Sequence, residues 1–279
     1  MNNLVYIAGL SHSGTTLLDL ILGCYPEFVG LGEVARVIDR GVVDKTWYKD
    51  VDCSCGKKMP ACPVWGSILT NLETMEDSSF YQKYQKIIET VNHNLGFNTT
   101  IVDSSKYLNY LKPIVEQSET GPKVIYLVKD VRNYVISQLD NLSYEEANRK
   151  SLLKSNAHYF FWQWYLMNRQ MLNYLSSNRI DYLLIGYEEL CLSTEKVINK
   201  IGEFLGLKLD DSILSISGTS SHSVLGNRMR TQKEKSKILY DYRWFQRKEW
   251  LIPAILYPNI IKFNKKNVYS HGFLKTWNK

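Results

Sequence analysis

The chain has 279 residues, a formal net charge of +6 at pH 7, 44% hydrophobic residues and 22% charged ones. At ~100–200 residues per domain this is one large domain or two small ones, long enough to bury a core without disulfides or metal, and the composition excludes a disordered chain, a collagen or a coiled coil. The longest apolar run, Trp250 to Ile261, holds Pro253 and Pro258 and falls short of the ~18 residues that a membrane helix needs, so no transmembrane segment is expected.

In chain order, Val5–Leu10 reads as a buried strand and Thr15–Cys24 as the helix after it. Val51–Trp65 is irregular and holds three of the five cysteines. Tyr81–Leu95 has helical spacing, Thr100–Val102 reads as a strand and Tyr107–Glu116 as a helix. The strand Val124–Val128 and the helix Val131–Leu139 follow. A long helical pattern then runs from about Tyr144 to Ser177, with Leu153, Ala157, Phe160, Phe161, Trp164, Met171, Leu172 and Leu175 at three- and four-residue steps. Tyr182–Ile185 reads as a strand and Glu195–Leu205 as a helix, before a Ser-rich loop. Short apolar strands alternating with helices predict an α/β, three-layer fold with a central parallel sheet flanked by helices. We expect a single domain over 1–279, with a Cys-containing insert at about 48–66 and a basic elaboration from about 220. Between Arg228 and Lys266 stand 11 Lys/Arg against 3 Asp/Glu, which reads either as a site for an anionic partner or as a solvated basic face. The Met-Asn-Asn start leads directly into the first strand without a basic leader, and five cysteines is an odd number. Reduced thiols in a cytoplasm are therefore expected.

The strongest local signal is Gly9-Leu10-Ser11-His12-Ser13-Gly14-Thr15-Thr16, between the first strand and its helix. In that context backbone N–H groups and a helix N-terminus converge on one anion. The spacing is that of the nucleotide-triphosphatase loop, but Thr15 stands where its lysine would reach the terminal phosphates. A divergent nucleotide kinase or triphosphatase would keep that lysine and add a downstream magnesium-binding acid. A non-catalytic nucleotide-binding or nucleic-acid-binding protein would use the basic segment with Tyr240, Tyr242, Trp244 and Phe245, yet would leave the strand–loop–helix cradle unexplained.

Ser13-Gly14-Thr15-Thr16-Leu17-Leu18, followed by Tyr25-Pro26, resembles the 5′-phosphosulfate loop of sulfotransferases that use 3′-phosphoadenosine 5′-phosphosulfate (PAPS), with His12 where a Lys or Arg is usual. Val124 to Arg132 with Ser137 resembles the family's 3′-phosphate motif, with Lys129 in place of an Arg, Ser137 eight residues on, and Arg132 similar to a second Arg. Tyr182 to Leu190 resembles the strand that leads to an adenine-side tyrosine, here Tyr187. His222 to Arg230 resembles a C-terminal segment of bacterial-type members. The resemblance implies a fold like that of P-loop nucleoside-triphosphate hydrolases and a nucleotide donor, PAPS, leaving as 3′-phosphoadenosine 5′-phosphate (PAP). It also implies a small-molecule or glycan acceptor and no nucleic-acid partner. Its donor site would comprise Ser11, His12, Ser13, Gly14, Thr15, Thr16, Lys129, Arg132, Ser137, Tyr187, Arg228 and Arg230.

Sulfuryl transfer needs in-line positioning, charge stabilisation on the departing oxygen and a base. Glu33, in a Gly-Glu segment similar to one in tyrosylprotein-type members, is the expected base. His12 would hydrogen-bond the departing oxygen or replace Glu33 as base. Lys106, in Asp103-Ser104-Ser105-Lys106, would place a cation on the sulfate oxygens. No catalytic metal is expected. Cys53, Cys55 and Cys62 form a C-x-C-x6-C pattern open to zinc, a local disulfide or packed thiols. A fourth zinc ligand is not evident in the sequence, and Cys24 or His93 would have to come from elsewhere.

Overall fold

The computed structural model describes residues 3–42, 47–96, 98–145, 156–209, 216, 219–231 and 238–274. Its strands are β1 (Leu4–Gly9), β2 (Phe28–Gly32), β3 (Thr100–Lys106), β4 (Lys123–Val128) and β5 (Tyr182–Gly186). They form one sheet in the order β2-β3-β1-β4-β5. β3 pairs in parallel with both β1 and β2. The first three helices are α1 (Thr15–Leu22), α2 (Val34–Arg40) and α3 (Trp65–Glu73). α4 (Phe80–Leu95), α5 (Leu108–Gln117), α6 (Val131–Glu145) and α7 (Ala157–Ser177) follow. α8 (Tyr187–Leu192), α9 (Thr194–Leu205), α10 (Leu251–Leu256) and α11 (Pro258–Val268) complete the set. This is the expected α/β architecture, a parallel sheet with flanking helices. β1, β2 and β4 are buried almost throughout, as parallel strands covered on both faces must be.

Local chemistry explains most boundaries. α4 starts at a reciprocal capping box, in which the Ser79 hydroxyl accepts from the Gln82 N–H and the Gln82 side chain accepts from the Ser79 N–H. α9 ends at Gly206, whose φ of 75° is the left-handed conformation that closes many helices. The strand expected at Thr100–Val102 continues to Lys106. Its polar second half is buried because each side chain finds a partner: Asp103 accepts from Tyr84 Oη at 2.7 Å, and Ser104 donates to Asp19 at 3.0 Å. β2 was not expected as a strand, being five residues with two glycines. The long pattern proposed from Tyr144 resolves into α6, which runs past Leu139 to Glu145, and α7 from Ala157. Leu153 and its neighbours lie outside the described residues. Trp250–Ile261 is divided between α10 and α11 at Tyr257, with Pro258 opening the second helix. No helix among the described residues is long and apolar enough to cross a membrane.

The chain divides into two compact units. One comprises Met1–Ala8, Thr15–Ile125 and Asp210–Lys237; the other comprises Gly9–Gly14, Tyr126–Leu209 and Ile238–Lys279. In the first, Trp65, Tyr84, Ile87 and Val91 are fully buried, where α3 packs on α4. In the second, Phe161 and Trp164 of α7 are fully buried. The Trp164 indole donates to the Lys129 carbonyl at 2.9 Å, so these aromatics are core, as expected.

Candidate active site

In the first unit the chemistry centres on Glu33. It follows β2, stands at the N-cap of α2 without capping it, and is 1% exposed. Lys106 Nζ is hydrogen-bonded to Glu33 Oε1, and Arg36 Nη1 lies 2.5 Å from Oε2. Burial pushes the Glu33 carboxyl up, but Lys106 and then Arg36 outweigh it and hold the group below the ordinary carboxylate range. It is therefore ionised at neutral pH. A Cβ placed on Gly226 would stand 3.1 Å from both Glu33 Oε1 and Thr16 Oγ1. The bare glycine, at φ 81°, is what lets the 224–227 segment approach both groups. Asn227 N donates to Thr16 Oγ1 at 3.4 Å, and Glu33 N donates to the Val224 carbonyl at 3.2 Å.

Lys106 owes its position to a strained turn. Tyr107 N donates to the Ser105 carbonyl at 2.8 Å across Lys106, whose φ is 72°. That is the positive-φ γ-turn, rare for a residue with a side chain. Such strain is maintained only where surrounding contacts over-determine it. Here Ser105 Oγ donates to Asp103 and accepts from Ala35 N at 2.9 Å, tying the end of β3 to the start of α2.

Asp19, on α1, escaped the sequence reading. Its carboxylate accepts from Gly32 N at 3.2 Å, from Ser104 Oγ at 3.0 Å and from Ser223 Oγ. Burial, opposed by the hydrogen bonds from Ser223, Ser104 and Gly32, raises its carboxyl to about 6. It joins α1, β2, β3 and the 221–223 segment behind Glu33.

In the second unit the centre is a cation. Lys129 follows β4 and is 3% exposed. Its Nζ lies 3.1 Å from Ser137 Oγ, 3.0 Å from Asp241 Oδ2 and 4.7 Å from the Tyr187 ring centre. Without the family resemblance, Lys129-Asp130 would read as a surface pair at a strand end; both residues are buried, and each has a different partner. Asp130 is gripped by Arg132 through Nε at 2.8 Å and Nη2 at 2.7 Å, and the Arg132 guanidinium stacks on Trp244 at 4.1 Å. Arg243 binds Asp241 at 2.8 Å and reaches Ser137 Oγ at 3.4 Å. Burial pushes the Asp241 carboxyl up, but Arg243 and Lys129 more than reverse this and hold it well below the ordinary range. Glu188 accepts the Asp130 N–H at 3.0 Å and so fixes the turn that carries Lys129. Asp241, Arg243 and Glu188 were not singled out from sequence: Asp241 reaches Lys129 across 112 residues, Arg243 reaches Ser137 across 106 and Glu188 reaches Asp130 across 58.

The Gly9–Gly14 loop belongs to the second unit and hands over to Thr15 and Thr16, the first residues of α1, in the first. His12 at φ 64° and Gly14 at φ 90° flank Ser13, a backbone alternation that turns successive N–H groups to one side. A Cβ on Gly14 would lie 2.5 Å from Tyr187 Cδ2, so this position admits only glycine beside that ring. Ser13, Thr15 and Thr16 are buried, and Ser11 is half-buried. Arg228 is exposed in a short 3-10 turn of the first unit, and Arg230, half-buried, reaches the Asp52 carbonyl at 3.3 Å.

Among the described residues, Glu33 after β2 and Lys106 closing β3 stand at strand ends in the first unit, and the loop after β1, Lys129 after β4 and Tyr187 after β5 do so in the second. In open α/β sheets, ligands bind outside the carboxyl ends of the strands. The model described as "Sulfotransferase family" matches residues 5–211, and the chain belongs to that family. Among solved structures it is similar to the "Sulfotransferase Domain from the Curacin Biosynthetic Pathway", with a TM-score of 0.58 and 16% identity over 90% of this chain and 96% of that one. It is also similar to "sulfotransferase STF9 from Mycobacterium avium", with a TM-score of 0.52 and 12% identity over 94% of this chain and 76% of that one. At such identities the likeness is one of fold. No curated protein matches the chain.

Proposed function

We propose that the protein moves a sulfuryl group from PAPS to a hydroxyl or amine of a small-molecule or glycan acceptor. The observation that carries this reading is Lys129 at the carboxyl end of β4. Its amine is 3.1 Å from the hydroxyl of Ser137, eight residues on, and lies over the face of Tyr187. A buried lysine paired with a hydroxyl suits a phosphate better than a neutral ligand. The Tyr187 ring suits a base that stacks.

Lys129, Ser137 and Arg243 hold the 3′-phosphate in this reading, with Tyr187 against the adenine. The Ser11–Thr16 backbone and hydroxyls take the 5′-phosphosulfate. Arg132, clasped by Asp130, steadies the turn beneath Lys129. His12 donates to the departing phosphate oxygen, and Lys106 neutralises the sulfate oxygens. Glu33, ionised at neutral pH, accepts the acceptor's proton. As Lys106 turns its charge toward the sulfuryl oxygens, Glu33 loses a stabilising neighbour and becomes more basic when a base is needed.

Thermal stability measured with equal concentrations of PAP, AMP and magnesium-ATP tests the reading. PAP alone should stabilise the chain, by about 2.7 kcal/mol at a hundred times its dissociation constant. A preference for magnesium-ATP, or no response to any of the three, sinks it.

A further inference from the structure

Cys53, Cys55, Cys62 and His222 offer four ligand atoms that all lie within 4.8 Å of one another. The sequence pattern left the fourth ligand open between Cys24 and His93; the fold supplies His222, 160 residues beyond Cys62. Its Nδ1 is 3.1 Å from Cys62 Sγ and 4.0 Å from Cys53 Sγ. In a tetrahedral zinc site with Zn–S of about 2.3 Å, the ligand atoms stand roughly 3.3–3.8 Å apart. The cluster is close to that size without its ion, and no disulfide joins any of the five cysteines.

The backbone around the cluster is built to hold it. Asp52 and Lys58 pair as an antiparallel bridge, Cys53 N donates to the Lys57 carbonyl at 2.9 Å, and Gly56 N donates to the Cys53 carbonyl at 3.0 Å. This small hairpin carries Cys53 and Cys55, with Gly56 at φ 84°. Cys62 ends the 3-10 turn that follows, and its sulfur accepts the Trp65 N–H at 3.5 Å. The Trp65 indole donates to the His222 carbonyl at 2.6 Å. Ser54 bonds the 221–223 backbone three times: its N–H to the Ser223 carbonyl at 3.1 Å, its Oγ to the Ser221 carbonyl at 2.6 Å, and Ser223 N to its Oγ at 2.8 Å. Zinc bound by three thiolates and a neutral imidazole carries a single negative charge. Arg230, whose guanidinium reaches the Asp52 carbonyl of the hairpin, has a buried Nε without a hydrogen-bond partner and supplies a cation beside it.

We propose that Cys53, Cys55, Cys62 and His222 bind one zinc ion as a closed structural site. The ion staples the 53–62 insert to the 222–224 segment. That segment lies along β2: His222 N donates to the Gly30 carbonyl at 2.7 Å and Val224 N to the Leu31 carbonyl at 3.1 Å, and Val224 in turn accepts from Glu33 N. The metal thus stabilises the backbone that presents Glu33, without taking part in the transfer.

The test is metal content of the full-length protein, purified under reducing conditions without added metal or chelator. About one zinc per chain is expected. Cobalt exchanged into the wild-type protein should give the thiolate-to-metal charge-transfer and tetrahedral ligand-field bands of a sulfur-rich site. Stripping the metal with a strong chelator should lower Tm by about 5–10 °C, and zinc alone should restore it. Cys62→Ser and His222→Ala should lose the metal, and Cys24→Ser and Cys191→Ser should keep it. A chain with under a tenth of an equivalent of any transition metal, five titratable thiols and no Tm response to added zinc would overturn the proposal. So would a Cys53–Cys62 disulfide in non-reducing peptide mapping of the protein as expressed in its own host.

Discussion

Among the described residues, each of the two units sets a buried charge in a lysine–carboxylate pair, Glu33 in the first and Lys129 in the second, and the pairs are built in opposite senses. In the first, Glu33 is the centre, with Lys106 on one oxygen and Arg36 on the other. In the second, Lys129 is the centre, with Asp241, the Ser137 hydroxyl and the Tyr187 face around it. The same two residue types thus give a carboxylate over-supplied with cations and a cation set beside a second one, Arg243. Buried ion pairs are weak evidence for stability, because desolvation offsets their attraction. What separates these two is the charge each can offer a ligand. On the proposed function, the first takes up a proton once its cations are drawn elsewhere, and the second takes up an anion.

The sharpest way to break that contrast is Glu33→Gln, which keeps the shape and removes the base. The expected outcome is a fall in kcat of about 10²–10⁴-fold, with PAP affinity close to that of the wild type. A Glu33→Gln protein that transfers sulfate normally but binds the donor poorly would show that the two pairs do not divide the work this way. Lys129→Ala comes next. Loss of a charged hydrogen bond to phosphate should weaken PAP binding about 10–100-fold. Lys129→Arg should recover most of it, and kcat at saturating donor should change far less. Calorimetric titration of PAP against the three proteins reads both effects; equal affinities for Lys129→Ala and wild type would remove Lys129 from the donor site.

How far the sequence reveals each pair follows from the range of the interactions. The strand–loop–helix start is local and could be read directly, whereas the Lys129–Ser137 spacing, though local too, was meaningful only through the family resemblance. β2 could not, because a five-residue strand with two glycines has too little pattern to stand out. The second half of β3 reads as a polar loop until Tyr84 and Asp19 are seen to satisfy its side chains. Glu33 was legible only through a resemblance to a Gly-Glu segment and Lys106 as a lysine following a strand, and their pairing spans 73 residues. Asp241 reaches Lys129 across 112 residues, and His222 reaches Cys62 across 160. Nothing in local periodicity encodes contacts of that range. The γ-turn at Lys106 is equally silent, since lysine is not a residue that announces positive φ.

The mildest perturbation, Asp241→Asn, sharpens the comparison most. If Lys129 and Arg243 form an anion site, the Asp241 carboxylate occupies part of it and opposes an incoming phosphate. Neutralising it should tighten PAP binding about 2–5-fold, the opposite direction to any Lys129 change, because a like charge near the ligand is removed while a side-chain oxygen remains for Lys129. The same carboxylate has a folded-state pKa held below its ordinary 3.8 by Arg243 and Lys129. The stability it contributes is fully present above 3.8 and is lost as the pH falls through the lower folded value. Acid titration of unfolding should therefore show the wild type losing stability relative to Asp241→Asn below about pH 4, with the difference constant near neutrality. An asparagine variant that binds PAP more weakly than the wild type would make Asp241 a positioning partner for Lys129 rather than its competitor for the phosphate.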